Sequence, residues 1–404
     1  MKMNSELLLT GNYAAAHAVK SCGVQVVSAY PITPQSPVVE TLSEMIYKGE
    51  LKSEFVPVES EHSAITVCIS ASAAGARVFT ATSANGLMLM HEQLHWAAGS
   101  RLPIVMCCVN RGVSAPWTIL NDQQDSISQR DTGWIQLYAE DNQEIFDTLI
   151  QAYKIAEQVY IPVMVCYDGF ILSHSCMPVN IELPENFSSF LPSYKPIINL
   201  DSKSPKNVNP VVLADKRLDK NNVLRNGYME FRNHLANDLI DSLKIIEKTN
   251  SEFNGIFGRT YNNGLFKTYR AEDAEHFIVT LGSLGSECKE SVNLLREKSI
   301  KAGLINIKSY RPFPAEQLVK ALQKAKTATV FEKDISYGFD GAVAGDLKAA
   351  FFSHSDDLNK PLIQSVICGL GGRNVSYKET AETVEKVIEK KINPKRPYWL
   401  NCKI

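Results

Sequence analysis

From Ser60 to about Gly75 the chain is almost wholly Ala, Ser, Ile and Val, and no Lys or Arg occurs between Lys52 and Arg77. Such a stretch predicts a helix. Being apolar on most faces, that helix has to be buried, and its small residues let other backbones come close. Ser60 is a good N-cap with Glu59 and Glu61 on either side, where the helix dipole favours negative charge. A short apolar run, residues 55–58, leads into the cap. A short strand near 78–81, a polar turn (Thr82, Ser83, Ala84, Asn85, Gly86) and a second helix follow. The acids at the helix mouth therefore stand at a strand end, which is where open α/β sheets bind ligands.

The same alternation fills the first half. Strands are expected at 25–29, 55–58, 78–81, 104–110 and 162–167, with helices at 12–21, 37–48 and 143–158. Val and Ile on both faces of these strands indicate an α/β fold with a mainly parallel sheet covered on each side. We divide the chain into a first domain (1–192), a connector with a long helix (193–257) and a second, again mainly parallel α/β domain with a tail helix (258–404). The connector holds Pro196, Pro205 and Pro210 among polar residues, then an amphipathic helix over about 227–248 with Leu235, Leu239, Leu243 and Ile246 on one stripe. A connection of this length is expected to lie packed on the first domain or on a partner.

A net charge of −2 with 21% charged residues over 404 positions makes no electrostatic case for nucleic acid or an anionic membrane. No apolar run reaches membrane-span length and no signal-peptide pattern opens the chain, so a cytoplasmic protein is expected. The nine cysteines include no C-x-x-C pair; they read as small buried hydrophobes, without a signature for an iron–sulfur cluster or other metal in this chain.

Several motifs could carry chemistry, each with a plainer alternative. Tyr30-Pro31-Ile32-Thr33-Pro34 is a strand-to-helix turn that either only turns or presents the Thr33 hydroxyl in a set direction. Arg111, at the end of a buried strand, either clamps a carboxylate or pairs with a nearby Asp. Asn121-Asp122-Gln123-Gln124-Asp125 is too polar for core and is open to a solvated or a functional reading. His91 and His95 read as helix packing, and the glycines of 338–345 and 369–372 as tight turns. Neither a phosphate-binding G-x-x-x-x-G-K-[ST] nor a dinucleotide G-x-G-x-x-G after the first strand is present.

Taken together, the motifs resemble a known family. Tyr30-Pro31-Ile32-Thr33-Pro34, Ser60-Glu61-His62, the run from Thr80 to Gly86, Asn110-Arg111-Gly112, the run from Asn121 to Asp125, Arg130-Asp131-Thr132-Gly133-Trp134 and Asp168-Gly169-Phe170 occur in this order. Tyr228-Met229-Glu230-Phe231-Arg232, Phe257-Gly258-Arg259, Arg311-Pro312-Phe313-Pro314 and Cys368-Gly369-Leu370-Gly371-Gly372 follow them. Over nearly the whole chain the pattern resembles the α subunit of pyruvate:ferredoxin oxidoreductase and its 2-oxoacid relatives.

The resemblance implies a thiamine-diphosphate-binding pyrimidine domain followed by a transketolase C-terminal-like domain. It implies oxidative decarboxylation of a 2-oxoacid, pyruvate first, to an acyl-CoA with electrons passed to ferredoxin. The cofactor would be shared with a β subunit that holds its diphosphate through Mg²⁺ and carries a [4Fe-4S] cluster. Gamma and ferredoxin-like delta subunits would complete the assembly, with CoA as co-substrate. By position in the family motifs, Glu61 would meet the cofactor's pyrimidine ring, Asn85 and Gly86 would lie against the cofactor, and Arg111 and Thr33 would bind the substrate carboxylate. Branched-chain or aryl 2-oxoacids, a non-redox thiamine enzyme and a non-catalytic scaffold are the alternatives.

Overall fold

The structure, a computed structural model, describes residues 6–196, 227–355 and 360–403. The first region runs β1 (Glu6–Thr10), α1 (Gly11–Ser21), β2 (Val26–Ala29), α2 (Ser36–Tyr47), β3 (Glu54–Pro57), α3 (Glu61–Ala73), β4 (Val78–Thr82) and α4 (Ala84–Leu89). It continues through α5 (His91–Gly99), β5 (Val105–Asn110), α6 (Gln124–Ile127), β6 (Ile135–Tyr138), α7 (Asn142–Val159), β7 (Val163–Asp168), β8 (Cys176–Asn180) and α8 (Phe187–Phe190). The long helix α9 (Tyr228–Phe257) leads to β9 (Phe266–Tyr269), β10 (His276–Leu281), α10 (Leu284–Glu297), β11 (Ala302–Ile307) and β12 (Ser309–Arg311). The chain then forms α11 (Ala315–Leu322), β13 (Thr327–Glu332), α12 (Ala342–His354), β14 (Leu362–Ile367), α13 (Tyr377–Ile388) and β15 (Tyr398–Trp399).

Two parallel sheets organise these elements, as their Val- and Ile-rich strands predict. The first has the order β12-β6-β7-β5-β4-β2-β3 and the second β15-β14-β13-β10-β11-β9. Only the edge strands β12 and β9 run antiparallel to their neighbours. The fully buried central strands β4, β5 and β7 carry the first core. In register, Asn110 stands beside Asp168 at the C-terminal edge of that sheet.

Three features depart from the sequence reading. β12 lies far along the chain, in the span assigned to the second domain, yet it closes the first sheet by pairing with β6. A bare β6 edge would leave its backbone groups unpaired. Helix α9 continues past residue 248 to Phe257, because Thr249 and Phe253 extend its buried stripe and Phe253 stacks on Phe257 at 4.0 Å. It lies against α7, where Lys154 reaches Glu252 at 2.5 Å. Pro205 and Pro210 of the connector lie outside the described residues. Finally, α3 is fully buried on one face only: Ala64, Ile65, Cys68 and Ile69 point into the core, while Thr66, Val67 and Ala71 are half-buried and Ser70 is exposed. Among the described residues no helix is long and apolar enough to cross a membrane.

The two sheets meet across a buried acid–base seam. Glu140, Glu144, Asp147 and Asp168 are all buried on the first side. Glu144 takes Lys308 at 2.9 Å and Lys267 at 2.6 Å, and Lys267 also pairs with Glu140. Arg259 clamps Asp147 bidentately at 2.6 and 2.7 Å, with the Tyr261 hydroxyl donating to the same carboxylate. Lys333 meets Asp168 at 2.9 Å. The first three acids fall at i, i+4 and i+7 and so face one way.

Burial alone would raise the Glu144 carboxyl, but Lys267 and Lys308 outweigh it and hold it at about 2, against an ordinary 4.5. Stabilisation from a depressed carboxyl is complete above its unfolded value and is lost as pH falls towards the folded one. Glu144→Gln should therefore be destabilised at pH 6, with its deficit against wild type shrinking between about pH 4.5 and 2. Urea unfolding across that window checks this; a deficit that stays constant would sink it.

Candidate active site

The residues of interest lie on four connections at the C-terminal edge of the first sheet, after β2, β3, β4 and β5. Ser60 caps α3 by accepting from the Ser63 amide at 3.2 Å, which makes Glu61 the first helical residue. Glu61 is only 7% exposed. Gly86, at the start of α4, packs directly on it: a Cβ there would lie 2.6 Å from Glu61 Oε1 and 2.5 Å from Thr82 Oγ1. Only glycine lets the α4 backbone come this close. Burial pushes the Glu61 carboxyl up, against weaker downward pulls from its own backbone amide and from Arg111. Burial thus outweighs the backbone amide and Arg111 together. Glu59 is exposed and merely accepts from the Ser63 hydroxyl.

Arg111 follows Asn110 at the end of β5. Its Nε is buried without a hydrogen-bond partner. Burial lowers its pKa while Asp125 and Glu61 pull it back up, so Glu61 and Arg111 are near enough for their charges to act on each other. Among the described residues neither side chain has a salt-bridge partner. The Asp alternative for Arg111 resolves instead into a backbone contact, its N–H donating to Asp125 Oδ2 at 3.1 Å.

Asp125 proves to be the centre of the site's framework. It is fully buried and accepts from the amides of Ala84 (2.9 Å), Arg111 (3.1 Å) and Ser126 (2.8 Å) and from the Asn110 side chain (2.6 Å). One carboxylate thereby joins the ends of β4 and β5 to α6. Burial raises its pKa to about 6, against those four donors. The run from Asn121 to Asp125 is marked in the sequence by its polarity; that it turns inward depends on partners from three separate elements.

Thr33 is exposed in its turn and its hydroxyl makes no hydrogen bond among the described residues. The adjoining Pro34 is tied down by the Asn12 side chain, which donates to its carbonyl at 2.7 Å. A Cβ on Gly169 would lie 2.9 Å from the Pro34 ring and 2.5 Å from the Asn110 carbonyl. The turn therefore rests over the ends of β5 and β7. Asn85 and Ser114 exchange two hydrogen bonds, each 3.1 Å. Asn85 thus grips the loop after Arg111, a contact absent from the sequence reading. That loop closes on itself where the Gly112 amide donates to the Leu120 carbonyl at 3.0 Å, leaving Trp117 74% and Leu120 41% exposed. Among the described residues no group of three His, Cys, Asp or Glu is placed to hold a metal.

Comparison with known proteins bears on this geometry. Residues 17–237 match the family model described as pyruvate flavodoxin/ferredoxin oxidoreductase, thiamine diphosphate binding, and residues 274–380 match pyruvate:ferredoxin oxidoreductase core domain II. The chain is 43% identical over 401 residues to the ketoisovalerate oxidoreductase subunit VorA of Pyrococcus abyssi, covering 98% of each. It is 41% identical over 399 residues to the pyruvate synthase subunit PorA of Methanothermobacter thermautotrophicus, again covering 98% of each. In fold it is similar to a solved 2-oxoglutarate:ferredoxin oxidoreductase from Magnetococcus marinus, with a TM-score of 0.72 at 20% identity over 96% of this chain and 66% of that one. A split-gene transketolase is similar at a TM-score of 0.51 and 12% identity, over 96% of this chain and all of the other. With more than half its length under one family model and full-length relatives above 40% identity, the chain belongs to the pyruvate flavodoxin/ferredoxin oxidoreductase family.

Proposed function

We propose that this chain is the α subunit of a 2-oxoacid:ferredoxin oxidoreductase. It acts on pyruvate, with CoA and ferredoxin, in a site shared with a β subunit. The observation that carries this reading is the pairing of a buried carboxyl, Glu61, with a buried guanidinium edge, Arg111, both lacking side-chain partners and lying within electrostatic reach of each other.

The residues present suit the pyrimidine end of thiamine diphosphate. Glu61 offers a carboxyl that burial keeps protonated to higher pH, so it can share a proton with a ring nitrogen. Gly86 lets the α4 backbone pack directly on this carboxyl and fix its place. When bound, the cofactor supplies a nucleophilic carbon that stores the electrons released as CO₂ departs. Arg111 then grips the 2-oxoacid carboxylate through N–H groups that have no other partner, and the Thr33 hydroxyl donates to the same group. Asp125 keeps Arg111 and the start of α4 at a set spacing, which holds substrate and cofactor in line.

Support for a partner comes from the half-buried outer face of α3 and from the exposed aromatic rings of Trp117, Tyr337 and Phe339. Small and aromatic surfaces of this kind suit a β chain bearing the diphosphate site, Mg²⁺ and a [4Fe-4S] cluster, with gamma and ferredoxin-like delta subunits beyond it. A second reading, 2-oxoisovalerate as substrate, is favoured by VorA relatives as similar to this chain as the PorA ones. Turnover of a 2-oxoacid panel by the reassembled subunits, with viologen reduction as the signal, decides between them. No turnover of any 2-oxoacid would overturn the reading altogether.

Three substitutions test the roles. Glu61→Gln should lower kcat by about 10²–10⁴-fold while leaving assembly intact, as loss of a positioned proton donor does; wild-type turnover would remove Glu61 from the chemistry. Arg111→Ala should raise KM by the equivalent of about 2–5 kcal/mol, and an unchanged KM would mean the carboxylate is held elsewhere. Asp125→Asn turns a donor towards the amides of Ala84 or Arg111, so it should cost about 1–3 kcal/mol of stability and raise KM as well. Differential scanning calorimetry and steady-state kinetics read the two effects, and a variant that loses stability alone would show that Asp125 does not position Arg111.

A further inference from the structure

The loop after Arg111 is held from two sides. On the first domain, Asn85 grips Ser114 and Gly112 closes on Leu120. From the second domain comes the turn after β14. Its Gly372 amide donates to the Asn121 carbonyl at 2.9 Å. A Cβ at Gly372 would lie 2.8 Å from Leu120 Cβ, 3.2 Å from its Cδ1 and 3.4 Å from its Cγ. Leu120 thus rests flat against bare backbone, and its own carbonyl is bonded to the residue next to Arg111. A neighbouring backbone bond, Gln123 N–H to the Lys333 carbonyl at 2.9 Å, ties the following segment to the second domain as well.

We propose that Gly372, from the second domain, sets the position of Leu120 and through it the room left for the 2-oxoacid side chain, making it a specificity-determining positioning residue. This rests on the reading of Arg111 as the carboxylate clamp. With the carboxylate end of the substrate fixed at Arg111, the adjoining loop, which closes from Leu120 back to Gly112, is the segment we assign to the other end. The second domain then takes part in choosing the substrate while contributing no group to its chemistry. Gly372 has φ +73 and Gly371 φ +63, so alanine is conformationally disfavoured at both. They differ in what a Cβ would touch: at Gly371 it makes only ordinary contact, 3.8 Å from Thr118 Cγ2. Gly371→Ala is therefore a matched control for strain in the turn.

In the reassembled complex, the measurement is kcat/KM for 2-oxoisovalerate divided by kcat/KM for pyruvate. Gly372→Ala pushes Leu120 away from the second domain and should lower the ratio by about tenfold, the scale of one methylene in a pocket. Leu120→Ala should raise it by a similar factor, and Gly371→Ala should leave it within about twofold. An unmoved ratio in Gly372→Ala overturns the proposal, as does an equal shift in Gly371→Ala. Should Gly372→Ala fail to assemble, Leu120→Ala decides: a raised ratio supports the proposal and an unmoved one overturns it. A wild-type complex that turns over no 2-oxoacid would overturn the functional reading itself, whereas an active wild type with an unmoved ratio overturns only the role of Gly372.

Discussion

Asp168 is buried at the end of β7, where Lys333, the Ser283 hydroxyl and the Gln123 amide all converge on its carboxylate. Burial would raise this acid, but Lys333 and the hydrogen bonds around it hold it below the ordinary range. Buried ion pairs of this kind cost so much desolvation that they add little net stability. What they provide is intolerance of any other arrangement, since separating the partners would strand a charge in low dielectric. Four such acids on one side and Lys267, Lys289, Lys308, Arg259 and Lys333 on the other therefore define a single way for the two sheets to meet. Everything contributed by both regions depends on that docking, including the Gly372 contact with Leu120 and the β12 cover on β6.

The candidate site obeys the same economy of buried charge, with a different outcome. Asp125 is fully satisfied by four donors, and so it builds the framework. Glu61 is buried, and the half-buried Arg111 keeps its Nε without a hydrogen-bond partner. An unpaired buried guanidinium nitrogen is costly in a finished structure. In the reading proposed above, the substrate carboxylate would remove that cost.

Much of this was legible in the order of residues because it is local. Ser60 announces a helix start, and the helix starts there. Val- and Ile-rich runs between helices announce a parallel sheet, and two such sheets formed. Asn110 and Arg111 close a buried strand, which puts them on a sheet edge whatever the remaining chain does. Other elements could not be read. β12 is three residues of no marked strand character, and its partner lies over 170 positions away. The run from Asn121 to Asp125 looks the same in water or in a core until its donors are known. The last turns of α9 depend on Phe190 and Phe187 being present to receive Phe253 and Phe257.

The sequence by itself determined the layered α/β architecture, the capped helix that presents Glu61 and the motif order that identifies the family. Each rests on short-range periodicity or on the chemistry of neighbouring residues. Tertiary structure alone decided that Glu61 is buried, that Asp125 binds three elements together, and that a glycine of the second domain bears on the loop beside Arg111. Those outcomes turn on distances between segments far apart in the chain, and a pattern of residue types does not contain such distances.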